Sequence, residues 1–409
     1  MKTKIFLILI IVVTFSFHSY SQTGWYHLSS GTTQPLNSVY FLNSMTGFVV
    51  GDSGKILMTY NGGVNWYLRQ SYSVSSLKSI QFTSAQTGYV ADFVSHVIKT
   101  TDGGMNWMIN FVGIATFYGQ YFINNTTGYV VGDFSGTAKI FKTSDGGDNW
   151  TDISPSITGS ACLYSICFSN SNIGFAVGTG GLVLRTTNGG NSWNQNYITT
   201  TGPLMSVCFV NDSTGYIAGE AIWKTTSYGV NWTLQQTVTS QLNSIKFINA
   251  NTGYCVGQDI YKTTNGGNNW FTQTYQSPSF LMKSVFPVNF DTAYICGYNG
   301  KILKAIRGGN VIGVNKISSG IPNDYCLSQN YPNPFNPETI IKFSVPETKL
   351  ITLKVFDILG REVETIINQT LQPGTYEVTF NGNYLSSGIY YYRLITDNYI
   401  ETKRMTLVK

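Results

Sequence analysis

TTDGGMNW, Thr100 to Trp107, returns along the chain as TYNGGVNW, TSDGGDNW, TTNGGNSW, TTSYGVNW and TTNGGNNW. The copies end at Trp66, Trp107, Trp150, Trp193, Trp232 and Trp270, and GWYHL repeats the tail at Trp25. From Trp25 onward the intervals are 41, 41, 43, 43, 39 and 38 residues. Units of that length built of short strands predict a β-propeller.

The units share an order. An apolar strand opens each one: LNSVYF, LKSIQF, FYGQYF, LYSICF, LMSVCF, LNSIKF and, last, MKSVFP. A turn ending in Gly and an aromatic starts the second strand, as at Gly47-Phe48 and Gly88-Tyr89, with Ala293-Tyr294 in the last unit. A third strand runs into the Gly-Gly turn and the Trp begins a fourth, so each unit reads as an antiparallel meander. Seven units are legible. The seventh has Arg307 in the Asp place and no Trp strand, so the N-terminal GWYHL is expected to complete it and close the ring.

The turn resembles the Asp-box, or BNR repeat, of sialidases and other propeller proteins. The longer unit with Gly-aromatic-x-x-Gly resembles the propeller family of photosystem II assembly factors, over about Gly24 to Asn310. The resemblance implies an all-β, seven-bladed propeller but names no ligand. The key position of the turn holds Asn61, Asp102, Asp145, Asn188, Ser227 and Asn265. Because Asn and Ser replace Asp, this side chain is read as bonding its own turn, with Trp66, Trp107, Trp150, Trp193, Trp232 and Trp270 packing between blades. Lys99, Lys142, Lys224, Lys262 and Lys304, with Arg185, share one position of the third strand and are read as structural too.

Composition narrows the function. Only 11% of residues are charged and the net charge is +5; residues 22–310 hold 14 basic against 11 acidic residues, unclustered, so nucleic acid is not an expected partner. Six cysteines, Cys162, Cys167, Cys208, Cys255, Cys296 and Cys326, lack CxxC spacing. They read as buried thiols, with a Cys162–Cys167 or Cys167–Cys208 disulfide left open. No metal or cofactor is expected.

Sialidase chemistry needs three arginines for the substrate carboxylate, whereas the repeats hold only Arg69, Arg185 and Arg307. His18, His27 and His96 form no triad motif. Functional residues are therefore sought where units differ, after the second strand and between blades, on the face opposite the Asp-box turns. Asp52, Asp92, Asp133, Glu220, Asp259 and Tyr298 lie there, with Tyr72, Phe117, Tyr118, Tyr197, Tyr275 and Phe280 in the inter-blade loops. A partial ring of carboxylates with aromatics suits a hydroxyl-rich glycan or a basic peptide. The expected function is a non-enzymatic binding or scaffold module for glycan or protein. The alternative is an Asp-box glycoside hydrolase with a carboxylate pair on this face.

The two ends of the chain give its destination. Lys2 and Lys4, the apolar run Ile5 to Val13, and Ser19-Tyr20-Ser21 predict a signal peptide over residues 1–21, too short in its apolar part to span a bilayer. After a linker at 311–324, residues 325–409 read as alternating strands, Thr339–Val345, Thr352–Asp357, Gly374–Phe380, Gly388–Thr396 and Thr402–Val408, of a small Ig-like β-sandwich. NYPNPFNPET, VFDILGREV, LSSGIYYYRL and a basic end, with Pro332, Pro334, Gly360, Gly388, Lys403 and Lys409, resemble the type A sorting domain of the type IX secretion system. That resemblance implies that secretion machinery of a Gram-negative bacterium is a partner. It also implies release or attachment to surface lipopolysaccharide after cleavage, and a secreted or outer-surface location.

Overall fold

Strand-forming residues punctuated by Gly, Asn and Asp turns dictate short antiparallel ladders, and the described residues between 24 and 309 fold that way. The computed structural model describes residues 24–409 apart from 158, 201, 274, 276–278, 310–314, 319, 383 and 384. The expected signal peptide, residues 1–21, lies outside the described residues. The chain divides into two compact units, Thr23–Asn310 and a C-terminal one that includes Val311–Lys409.

In the first repeat Leu36–Phe41, Gly47–Gly51, Ile56–Thr59 and Tyr67–Arg69 pair in chain order. The repeats opening at Leu163, Ser206 and Ser244 are likewise separate four-stranded sheets. The second and third repeats differ. Met108–Phe122 is one continuous strand that pairs with Val94–Thr100 at its start and with Gly128–Phe134 at its end. It serves as outer strand of one repeat and inner strand of the next. The last repeat, Met282–Pro287, Ala293–Gly297 and Ile302–Gly309, takes Gly24–Leu28 as its outer strand. The inner strands touch in succession, and Met282–Pro287 also touches Leu36–Phe41.

Three aromatic rings hold neighbouring repeats together. The aromatic of one second strand stacks on the Phe ending the next inner strand, and the Trp of that next repeat meets the Phe edge-on. Tyr89 lies 3.5 Å from Phe122, with Trp150 at 6.0 Å; Phe175 lies 4.1 Å from Phe209, with Trp232 at 5.9 Å. Tyr294 of the last repeat stacks on Phe41 of the first at 3.7 Å, with Trp66 edge-on at 6.1 Å. The edge-on Trp contacts follow the ring quadrupole, and the stacked pairs contribute the burial of large apolar area. They also explain the Gly before each aromatic. A Cβ on Gly88 would come within 2.6 Å of the Phe82 ring, so only Gly lets that ring lie across the second strand. Where the inner strand ends in Pro287 rather than Phe, the facing residue is Ala293.

The Ser of five inner strands ties sheets to one another. The Ser38 hydroxyl accepts from Ile80 N at 3.3 Å, Ser165 from Val207 N at 3.2 Å, Ser206 from Ile245 N at 3.2 Å and Ser244 from Val285 N at 3.3 Å. Ser284 accepts from Val39 N at 3.4 Å, joining the last inner strand to the first.

The Asp-box turn is a hydrogen-bond cage. Asp102 Oδ1 accepts from Met105 N and Asn106 N at 3.0 and 2.9 Å, and Thr100 Oγ1 accepts from Gly104 N at 2.9 Å. Asn61, Asn188, Ser227 and Asn265 accept from the equivalent N–H groups at 2.9 to 3.0 Å. These N–H groups hold the Asp102 carboxyl below the ordinary carboxylate range, and the same bonding brings Asp145 down to about 2. The third-strand lysines reach the next repeat: Lys142, Lys224 and Lys304 donate to the carbonyls of Gly189, Gly266 and Gly62 at 2.8, 2.6 and 3.0 Å. Tyr129, Tyr216 and Tyr294 donate to the same three carbonyls.

Asp102→Asn is expected to change stability by no more than about 0.5 kcal/mol, whereas Asp102→Ala, which orphans the turn N–H groups, costs about 1–2 kcal/mol in urea denaturation. Because the folded carboxyl titrates below its unfolded value, any advantage of Asp over Asn exists above about pH 4 and is lost as pH falls below it.

The C-terminal unit packs two four-stranded sheets around one core. One sheet orders Asn315–Ser318, Gly374–Asn381, Glu338–Val345 and Cys326–Leu327; the other orders Glu362–Leu371, Lys349–Phe356, Gly388–Ile395 and Ile400–Leu407. Asn315–Ser318, within the segment expected to be a linker, is thus an edge strand of this unit. Glu362–Leu371 is a strand the sequence reading left out.

The sorting motifs meet here. Buried Asn330 donates through Nδ2 to Pro332 O and Thr339 Oγ1, and its N–H donates to Tyr392 Oη at 2.8 Å. Phe335 is buried and pairs through its backbone with Thr406 and Val408. Pro332 and Pro334 follow cis peptide bonds in this same turn. Gly360 takes φ +76° in the turn clamped by Asp357 and Arg361, and Gly388 opens its strand. Lys403 pairs with Glu401 at 2.9 Å, and Lys409 N donates to Ser387 Oγ at 3.0 Å.

Candidate functional site

Where the units differ most is the second residue of each inner strand. In LNS, LKS, LYS and MKS the ladder slips by one residue between the apolar residue and the Ser, leaving Asn37, Lys78, Tyr164 and Lys283 as bulges. Tyr118 is the equivalent in Met108–Phe122, and Met205 and Asn243 precede the strands that begin at Ser206 and Ser244. A bulge re-aims its side chain out of the alternating pattern. All seven side chains are half-buried. They follow one another around the inner strands, at the end where the second strands finish.

Two chemistries divide this mouth. On one side Tyr118 meets Phe93 edge-on at 5.5 Å and Tyr164 at 5.2 Å. Burial, with the Asp133 carboxylate, pushes the Tyr118 phenol well up, and the same causes push the Cys162 thiol up to about 12. These groups are neutral near pH 7 and form an aromatic, weakly polar wall. On the other side Lys78 Nζ stands 4.8 Å from the Phe93 ring centre and Lys283 Nζ 4.9 Å from that of Tyr298. Burial lowers the Lys78 pKa; Asp52 opposes that and Lys283 adds to it. Asn37, between the two lysines in ring order, donates to Asp52 Oδ1 at 2.8 Å and Leu77 O at 3.0 Å.

The six residues expected to bind ligand are placed unequally. Asp52 is half-buried beside Asn37 and accepts a hydrogen bond from Ser76 Oγ. Asp92 is 2% exposed, inside Gly88–Asp92, and accepts from Ser73 Oγ, Ser75 Oγ and Val94 N. It pins the inter-blade loop and offers nothing to a ligand. Asp133 lies within Gly128–Phe134, half-buried, and accepts from Gly136 N at 3.0 Å. Glu220 is exposed and accepts from Thr200 Oγ1 at 3.0 Å. Asp259 is half-buried, near enough to raise the pKa of Tyr261 and Tyr275 after burial has done so. Tyr298 is exposed, its ring under Lys283.

Among the inter-blade aromatics, Phe117 and Phe280 are core residues, Tyr72 and Tyr197 are exposed, and Tyr118 joins the mouth. Asn37, Lys78, Tyr164 and Lys283 escaped the sequence reading, because a bulge looks like any alternating residue. All six thiols are free. Among the described residues no three His, Cys, Asp or Glu side chains gather in a way that holds a metal ion.

Comparison with known proteins identifies the fold. Among solved structures, YCF48 bound to a D1 peptide has TM-score 0.58 and 18% identity, covering 70% of this chain and 97% of its own. YCF48 from Cyanidioschyzon merolae has TM-score 0.56 and 17% identity, over 69% and 98%. PorZ, an essential surface component of the type IX secretion system of Porphyromonas gingivalis, has TM-score 0.54 and 13% identity; the match covers 90% of this chain and 59% of PorZ. No curated protein matches the sequence. The secretion-system C-terminal sorting domain matches residues 329–408, which marks the protein for type IX export. The family described as photosynthesis system II assembly factor YCF48 matches residues 17–113, 112–233 and 155–270, and to that family, as an all-β propeller protein, the chain belongs.

Proposed function

We propose that residues 24–309 form a seven-bladed propeller closed by the N-terminal strand, and that it acts outside the cell as a non-enzymatic binding or scaffold module for a glycan or protein. The observation that carries this reading is the contrast between the two faces. The Asp-box turns repeat one hydrogen-bond scheme, whereas the channel mouth presents Asn37, Lys78, Tyr118, Tyr164, Met205, Asn243 and Lys283, which vary in chemistry from unit to unit. Repetition serves the fold; departure from it at one concave end suits recognition.

A propeller relative holding a peptide favours the protein reading, and a relative at the bacterial surface favours display there. Of the expected ligand residues, Asp52, Asp133 and Tyr298 stay in the proposed site, with Glu220 and Asp259 at its margin. The hydrolase reading is the weaker one, because Asp92 is sealed and Asp52 and Asp133 are held in structural hydrogen bonds.

The test is saturable binding of the purified full chain to envelope polysaccharide and protein fractions, followed with a reducing-sugar assay. Tyr118→Ala with Tyr164→Ala is expected to weaken binding about tenfold, the loss of ~1.4 kcal/mol, with no sugar released. Release of reducing ends that stops on Asp52→Asn or Asp133→Asn would establish the hydrolase instead.

A further inference from the structure

The uncommitted charge at the channel mouth is positive, the reverse of a carboxylate ring. Lys78 and Lys283 are half-buried, and neither ammonium has a hydrogen-bond acceptor or ion pair among the described residues. Each lies over an aromatic ring, which holds a cation without satisfying its donors. Beside them a groove of about 620 Å³ runs between Ser29–Gln34 and Asn299–Lys301 and includes Lys55 and Lys301. Groove and mouth are linked along the chain: Tyr298, under Lys283, precedes Asn299 of the groove, and the turn at Asp52 ends at Lys55. Lys78 and Lys283 of the mouth and Lys55 and Lys301 of the groove thus come from three adjoining units, and Asp52 is the carboxylate that acts on Lys78. The groove lining is hydroxyl, amide and main chain, as at Thr33, Gln34 and Asn299, with Leu28 the one large apolar residue. A peptide would need pockets for its side chains or a free strand edge. Closely spaced donors and acceptors with amines between them match sugar hydroxyls and carboxylates.

We propose that this sector, Lys55, Lys78, Lys283 and Lys301, is a binding site for an acidic polysaccharide, its uronate carboxylates held by the lysines and its hydroxyls by the groove. The proposal rests on the reading of the propeller as a binding module and names its ligand class. Desolvated ammoniums without partners gain most from an incoming carboxylate, which supplies the missing acceptors. Binding of this kind weakens with salt, because the partners meet near the surface.

The test uses the purified full chain with three probes: polygalacturonate, neutral dextran and poly-L-glutamate. Polygalacturonate is expected to bind, dextran not, and polyglutamate at least about tenfold more weakly. Lys78→Gln with Lys283→Gln is expected to weaken polygalacturonate binding about tenfold or more. Lys139→Gln, which removes the exposed pair with Asp152, leaves binding unchanged. Thermal melts confirm that each variant is folded; should the double variant unfold, Lys55→Gln with Lys301→Gln gives the same readout from the groove. Absence of polygalacturonate binding, equal binding of polyglutamate, or an equal loss in Lys139→Gln overturns the proposal. If uronate fails while the Tyr118 and Tyr164 double variant still loses envelope binding, the ligand class falls and the binding module stands.

Discussion

A chain ended at Asn310 is expected to fold its repeats and to stay inside the cell envelope, with the extracellular protein falling to background. The first half follows from packing: the repeats form a compact unit by themselves over Thr23–Asn310. The second follows from the sorting domain matched at residues 329–408. The cut matters. Ending at 324 would leave Asn315–Ser318 without its partner Gly374–Asn381, an exposed edge that invites aggregation and confuses retention with misfolding. A finer variant is Asn330→Ala in the full chain. It removes the amide that bonds Pro332 and Thr339 and should disorder the turn while leaving the two sheets paired. Cell fractionation and immunoblotting of medium, surface and periplasm check both. Normal release of the chain ended at Asn310 would refute the sorting role.

Much of the fold is legible because a propeller repeats its rules. Six copies of one turn and a steady interval define the meanders without any long-range information. The joint between the second and third repeats was not legible. MINFVGIATFYGQYF has only Asn110, Gly113 and Gly119 as turn-prone residues, none adjacent to another, so no turn cluster stops Met108–Phe122 from running as one strand. Glu362–Leu371 was missed for the opposite reason. Its charges and amides read as loop, yet Ile366 and Ile367 are buried and the strand sits at a sheet edge, where polar residues are tolerated.

The site was harder. Asp after the second strand was a reasonable choice, but Asp also favours turns, and at Asp92 the turn took the carboxylate entirely. The better signal was within L-x-S, where Leu and Ser flank x in five of the seven units while x runs from Asn to Lys to Tyr to Met. One repeat also records its own constraint: Pro287 and Ala293 changed together, because without a Phe ring to admit, the facing Gly is no longer required.

The proposed closure of the ring by the N-terminal strand makes the largest stability claim. Trp25 is fully buried, 5.9 Å edge-on to Tyr254 and within the core that includes Val285, Leu303 and Ala305. It takes the Trp place of the last repeat, where Pro287 replaces the stacking Phe, so Tyr254 has Trp25 as its aromatic partner. Trp25→Ala is expected to cost about 3–5 kcal/mol, a large share of a typical folding free energy of about 5–15 kcal/mol. Trp193, half-buried at the outer edge of its repeat, should cost less when truncated. Deleting Gly24–Leu28 goes further. It uncovers the edge of Ile302–Gly309, and the expected result is loss of cooperative unfolding, protease cuts within the last repeat and association through the bare strand. Guanidinium denaturation, limited proteolysis and size-exclusion chromatography measure these in turn. A truncated chain that melts cooperatively at the parent midpoint would mean that the ring is held shut by Ser284–Val39 and Tyr294–Phe41 alone, and that the N-terminal strand is not its closure.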